Sequence, residues 1–97
     1  MFKRLGPNKA QHASGFIVQR TDRYTIEYRE NGRLAKMTTD LGIPTDPVFR
    51  DTLTSWILAD GATIPMTETD RQRVLDNIGR GLAFMGVKIE WVDGPSP

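Results

Sequence analysis

The sequence predicts an α+β domain in which an antiparallel sheet of four or five strands packs against one main helix in the C-terminal half. Three observations predict this class. Within residues 15–39, apolar and polar side chains alternate with a period of two, as they do in half-buried strands. Residues 67–86 place apolar side chains at helical spacing, and residues 87–92 then alternate again, which indicates a closing strand.

The length of the chain favours a single domain over residues 1–97. A chain of 97 residues has enough sequence for one hydrophobic core. Hydrophobic residues make up 38% and charged residues 26% of the chain, a balance typical of globular proteins. The polar start, 1–13, and the Gly-Pro-Ser-Pro end, 94–97, are predicted to be frayed. No run approaches the roughly 20 apolar residues of a spanning helix, so we expect a cytoplasmic protein without membrane association.

The strongest strand signal is the hairpin around Asn31-Gly32. This pair favours a type I′ turn, because both turn positions require positive φ. A two-residue turn there sets four pairs opposite one another: Glu30 with Arg33, Glu27 with Lys36, Ile26 with Met37, and Thr25 with Thr38. Each favourable cross-strand pair contributes about 0.2–1 kcal/mol. Upstream, a tight turn would oppose Arg20 and Arg23, so a longer turn or acidic partners for these arginines are predicted.

The segment 46–60 fits two structures. Asp46 before Pro47 resembles an N-cap followed by proline at the first helical position. Four apolar residues then fall on one helical face: Phe49, Leu53, Trp56 and Ile57. The same segment also alternates as a strand does, through Phe49, Asp51 and Leu53. Periodicity therefore leaves helix and strand open.

The segment 67–86 is the clearest helix. Thr67 and Asp70 form an approximate capping box at its start, and Gly86 is predicted to cap its end. An apolar stripe follows the helical spacing: Val74, Leu75, Ile78, Leu82 and Met85. Gly79 and Gly81 flank this stripe and each cost up to about 1 kcal/mol relative to Ala. We therefore expect them to allow close approach to the sheet.

The composition is poor in the side chains that catalysis uses most. The chain has no cysteine and one histidine, so disulfides, zinc–thiolate sites and thiol nucleophiles are excluded. The single histidine, His12, lies in a polar segment and is predicted to be solvated and flexible. We expect no enzyme activity, no cofactor, no metal and no small-molecule substrate.

The charges divide along the chain. Residues 1–36 carry a net +5 and residues 37–97 a net −4. The early arginines Arg20, Arg23, Arg29 and Arg33 are interleaved with two tyrosines, which raises the alternative of a small nucleic-acid-binding module that uses the basic N-terminal strands. Interleaved acidic residues dilute this charge, so a solvated strand face is the simpler interpretation and nucleic acid is not the expected partner.

Four residues are candidate contacts for a protein partner. Asp51 and Asp60 belong to an acidic stretch, with Asp40 and Asp46, whose spacing matches no calcium loop. These aspartates are either solvated turn residues or a patch that meets a basic partner. Trp56 is either a core residue or an interface anchor. Phe84 lies on the polar side of the helix, so it packs under a loop or contacts a partner.

Three patterns occur in order along the chain: YTIEYRENGR, a short β-like run ending in Trp56, and TDRQRVLDNIGRGLAFMG followed by VKIEWV. In this order, over roughly residues 15–92, the chain resembles the bacterial immunity protein 74 family. The best-matching stretch is the helix, through Arg73, Asn77-Ile78, Leu82, Phe84 and Gly86.

Members of that family are found beside polymorphic or contact-dependent growth inhibition toxins. The resemblance implies a small α+β protein that binds the C-terminal domain of a cognate toxin, for example a nuclease, and neutralises it by stoichiometric occlusion. It also implies a strand before Trp56, and it carries over no catalytic motif.

Overall fold

The structure, a computed structural model, describes residues 1–93, so the predicted frayed end at 94–97 lies outside the described residues. Within residues 1–93 the chain forms nine strands, a short 3-10 helix and one α-helix. The strands are β1 (Phe2–Gly6), β2 (Lys9–His12), β3 (Ile17–Arg20), β4 (Thr25–Glu30), β5 (Arg33–Thr39), β6 (Asp46–Phe49), β7 (Ser55–Ile57), β8 (Thr63–Pro65) and β9 (Ile89–Val92). The 3-10 helix spans Arg50–Thr52 and the α-helix, α1, spans Glu68–Phe84.

The sheet is mostly antiparallel and branches at β5. Strands β1 to β6 pair antiparallel in chain order, and β9 joins β6 in parallel after the chain has crossed back through α1. The start of β5 pairs with β7, which carries β8. The predicted α+β class with one C-terminal-half helix is confirmed. The described part of the sheet has nine strands where four or five were predicted, and one of its pairs is parallel.

The N-terminal segment corrects the prediction that residues 1–13 fray. β1 and β2 form a hairpin in which Phe2 lies opposite His12. The ring of Phe2 lies 5.5 Å from that of Phe16, which is buried in the core. His12, predicted to be solvated and flexible, stacks on Phe16 with ring centroids 4.8 Å apart. Burial of these rings orders a segment whose local sequence is polar.

The central hairpin has the predicted register. All four predicted pairs between β4 and β5 are present, and the turn residues Asn31 and Gly32 both have positive φ, at 51° and 76°. Before β4 the turn is longer than two residues, so that Arg20 faces Ile26 rather than Arg23. Both of these arginines also have aspartate partners, as described below.

The ambiguous segment 46–60 is mostly extended. It forms β6, then one 3-10 turn, then β7, in agreement with a strand before Trp56. The helical spacing is realised only at Arg50–Thr52. There the hydroxyl of Thr52 accepts a hydrogen bond from the backbone N–H of Thr38 at 2.8 Å. Hydrogen bonding to β5, by β6 before this turn and by β7 after it, therefore outweighs the helical spacing of the apolar residues.

α1 begins and ends as predicted. The hydroxyl of Thr67 accepts the N–H of Asp70 at 3.1 Å, which satisfies one of the unpaired amides at the helix start. After the helix, Gly86 has φ of +80°, the left-handed conformation that favours glycine at this position.

One face of α1 packs on the sheet to form the core. The core comprises Phe16, Val18, Ile26, Tyr28, Ala35, Met37, Val48, Leu53, Trp56, Val74, Leu75, Ile78 and Leu82. The predicted close approach of the two helical glycines is confirmed. A Cβ atom on Gly81 would lie 2.7 Å from Cγ2 of Val18, and one on Gly79 would lie 3.1 Å from the ring of Trp91.

Replacing Gly81 with Ala tests this packing. Gly81→Ala is expected to lower the free energy of unfolding by about 1–3 kcal/mol, although Ala has the higher helix propensity, because the fully buried Val18 has no room to move. Urea unfolding measures the effect. Gly79→Ala is the matched control and is expected to cost less, since the ring of Trp91 is only partly buried. A Gly81→Ala variant as stable as the parent contradicts the close approach.

Candidate functional site

Trp56 lies in the core and not at the surface. Its side chain is 1% exposed, and the guanidinium of Arg33 lies 4.0 Å from the ring centroid. Its indole N–H donates to Asp70 at 3.4 Å. The partner contact predicted for Trp56 is therefore corrected to a supporting role, because the ring is enclosed between the sheet and the side chains of Arg33 and Asp70.

Phe84 is partly exposed and packs against a strand rather than under a loop; its predicted contact with a partner stays a prediction. It is 44% exposed, and its ring stacks on that of Phe2 with centroids 5.5 Å apart. It thus packs beside the first strand while one side faces solvent. Asp51 is paired with Arg71, near the start of α1, whereas Phe84 is the last residue of the helix. At a rise of 1.5 Å per residue, Arg71 and Phe84 are about 20 Å apart along the helix. The structure does not bring Phe84 and Asp51 together.

Asp51 and Asp60 lie on the surface on either side of Trp56 in the chain. Asp51 forms an ion pair with Arg71 at 3.4 Å, and Arg71 also donates to the carbonyl oxygens of Arg50 and Leu53. Asp60 accepts the backbone N–H of Ala62 at 3.0 Å. Each aspartate therefore helps to order the loop that carries it.

The two strands β7 and β8, with the turn between them, form an exposed hairpin, here called the β7–β8 hairpin (residues 55–65). Residues 59–65 are all exposed. The turn is closed by the backbone hydrogen bond from Leu58 to Ala62 at 2.8 Å, and Gly61 supplies the positive φ, 87°, that the turn needs. Because Trp56 is buried at its base, the hairpin is fixed to the domain while its tip faces solvent.

A polar cluster beneath a cleft was not predicted from the sequence, and we call it the Glu30 network. The carboxylate of Glu30 accepts hydrogen bonds from Arg73 at 2.6 and 3.1 Å, from Arg33 at 3.2 Å and from the hydroxyl of Tyr28 at 2.8 Å. Asn77 donates to the Tyr28 hydroxyl at 3.0 Å. The network thus joins β4, β5 and α1.

The cleft above the network has a volume of about 520 Å³. It is lined by Ser14, Gly15, Phe16, Glu30, Asn31, Arg33, Asp70, Arg73 and Asn77. Asp70 extends the network, since it binds Arg73 at 2.8 Å and Trp56 at 3.4 Å. One chain of polar contacts therefore leads from the cleft to the base of the β7–β8 hairpin.

The charges of the network are fixed at neutral pH. Burial favours the neutral form of Glu30, but hydrogen bonds from Arg73 and Tyr28 outweigh it and hold the pKa of Glu30 below its usual value. Burial raises the pKa of the Tyr28 hydroxyl, and the bond to Glu30 adds to this. Hydrogen bonding from Arg73 lowers the pKa of Asp70. At neutral pH the carboxylate of Glu30 is therefore ionised and the phenol of Tyr28 is protonated. The hydrogen bond between them is kept, and the wall of the cleft is polar.

Ion pairs neutralise the four arginines of the basic strands and most of the aspartates of the acidic stretch. Arg20 binds Asp46 at 2.6 Å and Arg23 binds Asp40 at 2.8 Å. Arg29 and Arg33 likewise have glutamate partners. The basic strand face is therefore largely neutralised, which weakens the basis for the nucleic-acid alternative. Of the four aspartates in the predicted acidic patch, Asp40, Asp46 and Asp51 have arginine partners, and Asp60 accepts a backbone N–H.

Within residues 1–93, three or more histidine or carboxylate side chains nowhere gather in a way that suits a metal ion. No helix in this part of the chain has the length and apolar character that crossing a bilayer requires.

Comparison of the chain with models of protein families, with curated proteins and with solved structures finds no match. The resemblance to immunity proteins therefore stays a prediction.

Glu30 gives a pH-dependent test of the network. Its folded-state pKa is lowered from an ordinary value of 4.5, so its ionised form stabilises the fold above that value, and this stabilisation is lost as pH falls through the lowered pKa. Glu30→Gln is expected to lower the free energy of unfolding by about 1–3 kcal/mol near neutral pH. The difference from wild type should shrink in acid, as measured by urea unfolding across the pH range.

Glu27→Gln is the matched control on the same strand. Glu27 pairs with the exposed Arg29 and Lys36 at 3.5 and 3.9 Å, and such surface pairs contribute about 0–1 kcal/mol. An unchanged stability difference between wild type and Glu30→Gln from neutral pH down to about pH 3 contradicts the assignment of the effect to the carboxylate.

Proposed function

We propose that the protein is an immunity protein that binds one toxin domain and neutralises it by stoichiometric occlusion, without turnover. The observation that carries the proposal is the β7–β8 hairpin, whose tip is exposed over residues 59–65 while Trp56 at its base is buried. An exposed element on a rigid base binds with a smaller loss of conformational entropy than a flexible loop. The hairpin therefore suits insertion into a partner's cleft.

The charge of this surface suits a basic partner. Residues 51–66 contain two aspartates and no lysine or arginine. Asp51 lies just before the hairpin and is paired with Arg71 of α1, so Asp60 carries the negative charge of the hairpin itself. Toxin domains that cleave nucleic acids need a positive cleft for the phosphate backbone. An acidic hairpin is complementary to such a cleft, and complementary charge raises the association rate and selects the partner.

The backbone of β8 favours contact through side chains rather than by strand addition. Ile64 lies opposite Trp56, between the hydrogen-bonded pairs Leu58–Ala62 and Thr54–Met66. The backbone groups of Ile64 therefore face β7, and those of Thr63 and Pro65 face outward. Because proline has no N–H, an added strand would find few donors there. Asp60 and Ile64 are the better candidates for contacts.

Protection of the cell that makes the toxin requires tight binding. A nanomolar dissociation constant corresponds to about −12 kcal/mol, which a standard interface of roughly 1,600 Å² can supply. The direct test is co-purification with the C-terminal domain encoded by the reading frame immediately upstream. Calorimetry should give a one-to-one complex, and the chain should rescue cells that express that domain. Failure of both binding and rescue contradicts the proposal.

Charge reversal tests whether the hairpin faces the toxin domain in the complex. The double variant Asp51→Lys, Asp60→Lys is expected to slow association with the toxin domain roughly tenfold at low salt, with a smaller effect at high salt. Stopped-flow mixing measures the rate.

Asp76→Lys, which reverses one exposed charge on α1, is the matched control for the single variant Asp60→Lys, and it should leave the rate nearly unchanged. Circular dichroism checks that each variant is folded. If the double variant associates as fast as wild type, the acidic hairpin is not the contact.

A further inference from the structure

Strand β9 forms one edge of the sheet, and its backbone is open to a further strand. Within the described part of the chain, β9 pairs with β6 on one side and has no strand on the other. The N–H of Asp46 donates to the carbonyl oxygen of Lys88 at 2.8 Å, and the backbone groups of successive residues point to alternate sides of a strand. Those of Ile89, Trp91 and Asp93 therefore point away from β6, and none of the three is a proline.

The opposite edge of the sheet, β1, is protected against such pairing. It carries Lys3 and Arg4, and its register with β2 is irregular between Arg4 and Gly6. Charged side chains and bulges are common means by which edge strands avoid pairing with other chains. β9 has one charged side chain, Glu90, and its register with β6 is regular. Of the two edges, β9 is therefore the one suited to pairing.

A groove with a volume of about 480 Å³ lies between β9 and α1, beside this edge. Its apolar lining comes from both elements and comprises Leu75, Gly79, Ala83, Ile89 and Trp91. Gly79 lies at the level of Trp91, since a Cβ atom on Gly79 would be 3.1 Å from the indole ring. The open edge and the groove therefore form one continuous surface.

Asp76 and Arg80 are exposed charges of opposite sign on α1, and both line the groove. Residues four apart lie about one turn apart on the same side of a helix, and the midpoint of this pair is within one residue of Gly79. Within residues 1–93 Asp76 forms no ion pair, and the guanidinium of Arg80 approaches only aromatic rings, such as that of His12 at 3.5 Å. A two-fold axis at this level would place each Asp76 opposite the Arg80 of a second copy.

The other charges at this edge leave it close to neutral. Arg50 is paired with Asp93 at the end of β9. Lys88 and Glu90 lie on the opposite face of the strand from Trp91, because side chains alternate along a strand. They carry opposite charges two residues apart, so that face has no net charge. No repulsion therefore prevents the approach of a second copy.

We propose that β9 pairs antiparallel with β9 of a second copy about a two-fold axis beside Trp91, so that the chain forms a symmetric dimer. In this register the two Trp91 residues lie opposite each other, and Ile89 exchanges backbone hydrogen bonds with Asp93 of the second copy. Glu90 then lies opposite Val92. A pairing centred on Glu90 would set two carboxylates directly opposite each other, which is destabilising.

The same axis brings the two copies of α1 together. A helix that lies on a sheet runs antiparallel to its copy when the two-fold axis is perpendicular to the sheet. Each Asp76 then meets the Arg80 of the other copy, and the small residues Gly79 and Ala83 allow the helices to approach closely. The strand and the helix are thus self-complementary about one axis, as a symmetric interface requires. This agreement selects a second copy of the chain over a different partner.

The inference goes beyond the proposed function and does not rest on it. The dimer uses α1 and β9, whereas the β7–β8 hairpin takes no part in it. Two short strands and one helix face form a small interface, so we expect a dissociation constant of roughly 1–100 μM. The dimer presents two hairpins, and binding of the toxin domain stays one-to-one per chain.

Sedimentation velocity of the full chain, from about 1 to 500 μM, tests the dimer. Wild type should shift from monomer to dimer over this range. Asp76→Arg places two pairs of like charges at the interface and should weaken dimerisation about tenfold or more. The charge swap Asp76→Arg, Arg80→Asp should restore it, because the signs are exchanged on both sides of the axis. Asp60→Arg is the matched control and should dimerise as wild type does. Circular dichroism checks that each variant is folded.

Hydrogen exchange of wild type tests the register without any variant. The amides of Ile89, Trp91 and Asp93 should exchange about tenfold or more slowly at the highest concentration than at the lowest. Those of Glu90 and Val92 bond to β6 and should be slow at both concentrations.

Several outcomes overturn the inference. These are a chain that stays monomeric over the whole range, a dimer that Asp76→Arg leaves intact, a folded charge-swap variant that stays monomeric, and a dimer without added protection at the three outward amides. If the toxin domain binds and the chain is monomeric throughout, the proposed function stands and the dimer inference fails. If the chain dimerises as described and the toxin domain does not bind, the reverse holds.

Discussion

The ion pair between Glu30 and Arg73 is the contact on which the arrangement of the domain depends. Glu30 ends β4 and Arg73 lies in the second turn of α1, so the pair joins residues 43 apart in the chain at 2.6 Å. A half-buried charge pair stabilises a fold only when its hydrogen bonds are well satisfied, and here Tyr28 and Arg33 supply two more. Without Arg73, the mostly buried carboxylate of Glu30 would keep only Arg33 and Tyr28 as hydrogen-bond donors. The pair therefore ties the first half of α1 to the end of β4, beside the apolar face that packs on the sheet.

The exposed surfaces follow from this arrangement. Arg73 also binds Asp70, and Asp70 accepts the indole N–H of Trp56, so the position of the helix and the base of the β7–β8 hairpin are set together. At the opposite end of β5, Arg20 holds the segment between β5 and β6 in the same way, through Asp40 and Asp46. In both places a buried or nearly buried side chain orders an exposed segment. Such order is what a protein that binds a partner by surface contact needs.

The features that sequence reasoning predicted are local. The Asn31-Gly32 turn, the Thr67 cap and Gly86 depend on residues within a few positions, and the close packing at Gly81 follows from a glycine beside an apolar stripe. The features it missed are made by distant residues. The N-terminal hairpin is ordered by Phe16, and Arg73 meets a glutamate whose only predicted partner was the adjacent Arg33. The sequence does not decide whether Trp56 is a core residue or an interface residue. Its burial depends on contacts with Arg33 and Asp70, and the periodicity of the sequence does not predict those contacts.

The central claim is that the Glu30 network acts as one unit, and a double-mutant cycle tests it most directly. Asn77 and Glu30 are linked through the hydroxyl of Tyr28. The free energies of unfolding of Asn77→Ala, Glu30→Gln and the double variant should reveal a coupling of about 0.5–3 kcal/mol. In a Tyr28→Phe background that coupling should disappear. Additive effects, within about 0.5 kcal/mol in the wild-type background, would contradict a network that works as a unit.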